Sequence, residues 1–128
     1  MIIYTNETCP YCKLVKEEFD KNNLDYKERL TSEHETEWRE VIFLTGTPAV
    51  PTIVYKNNYF VPGRDFQSAT HLVDIVNYFQ ESPHEISVRI LELLKTLTFN
   101  IYSAFGKTDT LLRQIEEKLN KKEEEKEK

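Results

Sequence analysis

The chain opens on Met1-Ile2-Ile3-Tyr4-Thr5, a short β-branched run that predicts a buried strand. Leu14, Val15 and Phe19 then recur at helical spacing, so a helix is expected from about Pro10 to Asn22, with Asn22-Asn23 as its stop. Proline suits the first helical position because its missing N–H would be unpaired there anyway. Asp25 to Leu30 alternates weakly and predicts a second strand. Ser32-Glu33-His34-Glu35 has the form of a capping box, opening a helix that carries Trp38, Val41, Ile42 and Leu44 and ends at Gly46. Thr52-Ile53-Val54-Tyr55 predicts a strand, Asn57-Asn58 a tight hairpin, and Tyr59-Phe60-Val61 its return. Pro62-Gly63-Arg64-Asp65 reads as a turn. A third helix, capped by either Asp65 or Ser68, presents Leu72, Val73, Ile75, Val76 and Phe79 and ends near Gln80. Strand, helix, strand, helix, hairpin and helix are thus complete by about residue 81.

A different pattern follows. Ser82-Pro83-His84-Glu85 is a second capping box, and Ile86, Ile90, Leu93, Leu97, Ile101 and Ala104 form an apolar stripe at spacings of three and four. Gly106 and Asp109 suggest a break, with Leu111, Leu112, Ile115 and Leu119 on a restarted helix. From Asn120 the chain is almost wholly charged and predicts a frayed end. The expected organisation is an α/β domain over 1–81, a helical extension over 82–120 and a charged tail over 121–128.

Composition narrows the function classes. At 39% hydrophobic and 12% aromatic residues the chain can bury a core, which excludes wholesale disorder. No stretch approaches the roughly 18 uncharged apolar residues of a membrane-spanning helix, and the first ten residues lack the basic-then-apolar form of a secretory signal. A soluble, cytoplasmic protein is expected. Residues 1–81 hold 8 Lys and Arg against 13 Asp and Glu, whereas residues 82–128 hold 9 of each. With the negative excess confined to the N-terminal part, there is no basic footprint for nucleic acid.

The chemistry concentrates in Cys9-Pro10-Tyr11-Cys12, which contains both cysteines of the protein. Cys-x-x-Cys behind a strand is the sequence form of a reversible dithiol. Half a zinc site would need two further Cys or His ligands, and His34, His71 and His84 lack ligand spacing. Cys9 sits where the unpaired N–H groups and dipole of the helix favour a thiolate. Cys12, one turn in, is more covered. This asymmetry predicts that Cys9 attacks a substrate disulfide and Cys12 resolves the mixed disulfide.

Taken in order, Tyr4-Thr5, Cys9-Pro10-Tyr11-Cys12, Thr45-Gly46, Val50-Pro51-Thr52 and Gly63-Arg64-Asp65 make residues 1–81 resemble the dithiol glutaredoxins. The resemblance implies a thioredoxin-like fold, a mixed four-stranded sheet in β-α-β-α-β-β-α order with helices on both faces. It implies thiol–disulfide exchange on protein disulfides or glutathione mixed disulfides, with no bound cofactor and glutathione as co-substrate. It further implies a cis Pro51 facing the dithiol, with the Val50 backbone pairing with an extended substrate. Pro10, Tyr11, Val50, Pro51, Gly63, Arg64 and Asp65 are the substrate-binding positions it suggests, Tyr11 as a surface shield for the disulfide and Asp65 near the glutathione amino group.

The sequence also departs from the pattern. The family usually carries a lysine three residues before the first cysteine, which binds a glutathione carboxylate; here Asn6 takes that place and Glu7 follows. The usual Gly-Gly before the third helix is Pro62-Gly63. Arg64 and Lys13 are the candidate replacement cations. These departures keep two alternatives open: a redoxin served by a thioredoxin-type reductase or another thiol, and a non-catalytic module or iron–sulfur carrier. Pro10 counts against the carrier, because cluster carriers of this family usually have glycine there. The C-terminal stripe, through Ile86, Ile90, Leu93, Leu97 and Ile101, is expected to dock, to dimerise or to meet a partner.

Overall fold

A computed structural model of the chain describes residues 1–81 and 87–127. The second capping box and Ile86 lie outside the described residues. Four strands, β1 (Ile2–Thr5), β2 (Lys27–Leu30), β3 (Thr52–Tyr55) and β4 (Asn58–Phe60), form one sheet in the order β2-β1-β3-β4. β1 pairs parallel with β2 and antiparallel with β3, and β3 pairs antiparallel with β4. The parallel pair is joined through helix α1 (Pro10–Lys21), as a parallel crossover requires. Helices α2 (Glu35–Thr45) and α3 (Ala69–Asn77) complete the order read from the sequence, and the fold is α/β and thioredoxin-like.

Alternation along β1 divides the layers. Ile3, wholly buried, joins Val15 and Phe19 of α1, Ile53 and Phe60 of the sheet, Phe66, and Leu72, Val73 and Val76 of α3 in one core. Tyr4 points the other way and stacks on Trp38 of α2, ring centroids 5.5 Å apart, so Trp38 is a packing residue.

Several local expectations shift. The capping-box serine does not cap α2: the N–H groups of Glu33 and His34 both return to the Leu30 carbonyl, and the resulting turn delays the helix to Glu35, with His34 at its cap. The hairpin turn falls one residue earlier, on Lys56-Asn57, both at positive φ, because Asn58 pairs with Tyr55. Of the two candidate caps for α3, Ser68 serves, its Oγ accepting from the His71 N–H. Leu14, expected on the buried face of α1, is 55% exposed; Cys12, Val15 and Phe19 fill that face instead.

The C-terminal expectation changes most. There is no break at Gly106: helix α4 runs unbroken from Val88 to Glu127, through the charged segment predicted to fray. Two compact units divide the chain, Met1–Thr96 and Leu97–Lys128. In the first, the opening turns of α4 are fixed to the α/β layers by Glu92, by a Thr96 hydroxyl donating to the Thr45 carbonyl, and by the Arg89 guanidinium over the Phe43 ring. In the second, the helix exposes Leu97, Ile101, Tyr102, Phe105, Leu111, Leu112, Ile115 and Leu119. Among the described residues no helix is long and apolar enough to cross a membrane.

Candidate active site

The two cysteines meet at the start of α1. Cys9 occupies the N-cap in extended conformation, Pro10 takes the first helical position, and no acidic side chain stands in the first turn. Cys9 and Cys12 are joined as a disulfide across a Cα separation of 5.3 Å. The Cys12 N–H also donates to Cys9 Sγ at 3.0 Å. The sulfur therefore replaces the oxygen of an ordinary N-cap side chain and receives one of the helix's otherwise unpaired donors. Cys12 is 2% exposed, whereas Cys9 is only half-buried.

A groove of about 590 Å³ opens beside the pair, lined by Asn6, Glu7 and Thr8 before Cys9, by Lys13 and Lys16 along α1, and by Glu28 and Leu30 of β2. Its ionisable groups are two lysines and two glutamates. Lys16 and Glu28 form an ion pair at 3.0 Å, and the Thr5 hydroxyl donates to Glu28 Oε1 at 2.8 Å. Partial burial pushes the Glu28 carboxyl up, but the hydrogen bonds from Lys16 and Thr5 and the Lys16 charge outweigh it and hold the group below its ordinary value. Sequence reasoning missed Thr5, Lys16 and Glu28. The available signal was register: Lys16 lies one helical turn beyond Cys12.

The remaining predicted positions are dispersed. Tyr11 turns toward Phe66, ring centroids 6.0 Å apart, with its hydroxyl buried and without a hydrogen-bond partner among the described residues. Burial raises its pKa, so the phenol stays neutral through the physiological range. The Val50–Pro51 peptide is cis, and Pro51 is buried with Thr52 beside it. Gly63 adopts a φ of +81° in an open turn, with nothing near the place a Cβ would occupy.

Arg64 and Asp65 do not line the groove. The Arg64 side chain is 3% exposed, and its guanidinium donates to Asp65, to Glu92 and Thr96 of α4, and to the Tyr59 carbonyl. Burial alone would lower its pKa; Asp65 and Glu92 reverse that and raise it. The same Asp65 oxygen accepts the Val61 N–H at 2.7 Å, which locks the Pro62–Asp65 turn. Arg64 is thus engaged as a structural cation, which corrects its expected role as a replacement for the missing lysine. Lys13, exposed on the groove wall, keeps that candidacy.

Compared with known families, residues 1–60 match Glutaredoxin. No curated protein and no solved structure matches the chain. The glutaredoxin domain carries its cysteine pair at the spacing of a thiol–disulfide oxidoreductase family, and the four-stranded mixed sheet agrees with that assignment.

Proposed function

We propose that this glutaredoxin domain is a catalytic thiol–disulfide oxidoreductase of the cytoplasm, reducing protein disulfides or glutathione mixed disulfides. The observation that carries the reading is the Cys12 N–H aimed at Cys9 Sγ, on a half-buried sulfur at a helix N-terminus. In the reduced protein, the helix N-terminus stabilises Cys9 as thiolate. That thiolate attacks one sulfur of the substrate disulfide, forming a mixed disulfide and releasing the other half as a thiol. Cys12, deprotonated as it approaches, then attacks Cys9 Sγ, expelling the second substrate thiol and closing the Cys9–Cys12 disulfide. Two electrons and two protons pass to the substrate. The Val50 backbone is assigned the strand-like pairing that aligns the substrate, on the resemblance to the family.

Glutathione is the proposed reductant that reopens the disulfide: two molecules are consumed and leave as their own disulfide. A second reading, in which a reductase or another thiol supplies the electrons, is favoured by Asn6 in the groove and by the engagement of Arg64 with Asp65 and Glu92. The deciding assay offers the oxidised protein either glutathione with its reductase or thioredoxin reductase, for wild type, Cys9→Ser and Cys12→Ser. Turnover with glutathione, lost in Cys9→Ser, is expected. In Cys12→Ser the mixed disulfide on Cys9 should persist and be visible as an adduct in intact-mass spectra. Turnover with neither system, or unchanged turnover in Cys9→Ser, would remove the enzymatic reading.

A further inference from the structure

The second compact unit is an exposed helical segment with a stripe it cannot bury by itself. Leu97, Ile101, Phe105, Leu111, Leu112, Ile115 and Leu119 are each between 46% and 69% exposed. Together they present on the order of 700 Å² of apolar surface, at or above the largest patch of about 300–600 Å² that a typical monomer tolerates.

The order of residue types within the stripe is informative. Leu97, Ile101, Ala104, Thr108, Leu111 and Ile115 follow one another at alternating spacings of four and three, the heptad rhythm, on a helix without interruption. In that frame the a positions are Ile101, Thr108 and Ile115, all β-branched. The d positions are Leu97, Ala104 and Leu111, none of them β-branched. β-branched residues at a with leucine at d are the choice that favours two parallel strands, because the two layers place the Cα–Cβ bond differently against the facing helix. The seam closes where Lys118 and Lys122 take the next d and a positions.

The flanking positions are compatible with self-pairing. In a parallel pair, each g residue faces the e residue of the next heptad on the other chain. Asn100 then meets Phe105, Lys107 meets Leu112 and Gln114 meets Leu119, so no like-charged pair falls within the seam. Lys107 and Gln114 can lay their apolar stems over the leucines while their polar ends stay in water. Two such stripes would together bury about 1,400 Å², within the range of roughly 1,200–2,000 Å² of a stable specific interface.

We infer that residues 97–119 form a parallel two-stranded coiled coil with a second copy of this chain, so that the protein works as a dimer joined through its C-terminal helix. The full-length chain is expected to sediment at twice the chain mass at micromolar concentration. Ile101→Asp combined with Ile115→Asp should return it to the single-chain mass. Thr108→Val places a methyl where a hydroxyl meets the seam and should lower the dimer dissociation constant by about tenfold, a gain that helix propensity does not supply. In a Cys9→Ser/Cys12→Ser background, Ala104→Cys should cross-link two chains on mild oxidation, since d residues of parallel strands face each other. A single-chain mass for the wild type, a trimer or tetramer, a dimer indifferent to Ile101→Asp/Ile115→Asp, or absence of the Ala104→Cys cross-link would each overturn the proposal.

Discussion

Arg64 Nη2 lies 2.5 Å from Glu92 Oε2, with the two side chains 3% and 1% exposed. The pair joins the turn after β4 to the opening of α4, and Lys95 adds a second cation at 3.1 Å from the other Glu92 oxygen. Removing one partner of a buried pair leaves an uncompensated charge, which typically costs about 3–5 kcal/mol. Because Arg64 retains Asp65, Glu92→Ala is expected at the lower end, a loss of about 3 kcal/mol in denaturant unfolding. Arg64→Met in the Glu92→Ala background should be much less harmful than the sum of the two single changes, as a double-mutant cycle would measure.

Gly46 ends α2 at a φ of +74°, and a Cβ there would meet Leu93 Cδ2 of α4 at 3.3 Å. Left-handed backbone penalises a Cβ by about 1–2 kcal/mol. Gly46→Ala should therefore lower unfolding free energy by at least that amount, with little change in disulfide-exchange rate. Gly63→Ala carries the backbone penalty without a steric neighbour and should be milder.

Glu28 gives the protein a pH signature. Its folded pKa is depressed, so the stabilisation is present above the unfolded carboxylate value and is lost as pH falls through the lowered folded value. With Glu28 and Lys16 about one-third exposed, the contribution at neutral pH is only about 0.5 kcal/mol after solvent screening. The stability difference between wild type and Glu28→Gln should fade below about pH 5. Lys16→Met should remove most of that pH dependence.

Asn6→Lys puts a third cation in the groove, at the position where the family usually carries a lysine. Glutathione-dependent kcat/KM is expected to rise about fivefold, the factor that a surface charge pair of about 1 kcal/mol supplies. The gain should shrink as salt is added. An unchanged kcat/KM would show that Asn6 is not what limits glutathione use.

Local features of the fold were legible where a strand carries its own β-branched run, as β1 and β3 do, and where a helix carries its own apolar face, as α1 and α3 do. Met1–Thr5, Thr52–Tyr55 and the Leu72–Val76 face were placed within a residue or two. Cys9-Pro10-Tyr11-Cys12 announced both its chemistry and its helical position. What escaped depended on partners far along the chain or on competition among near neighbours. Ser32 lost its cap because the Leu30 carbonyl takes the N–H groups that a cap would leave waiting. Arg64 reads as a substrate cation from its near neighbours alone, because Glu92, its partner in the fold, lies 28 residues further along the chain. Gly106 reads as a break by propensity alone, yet a single glycine disfavours a helix interior by only about 1 kcal/mol, and α4 continues through it.

The groove beside the disulfide carries Glu7 and Glu28 against Lys13 and Lys16, so its charges cancel in number. The groove therefore adds little of its own to the long-range field, which the negative excess of residues 1–81 sets. Exchange with acidic substrates should accordingly quicken as rising ionic strength screens that excess, and exchange with basic substrates should slow.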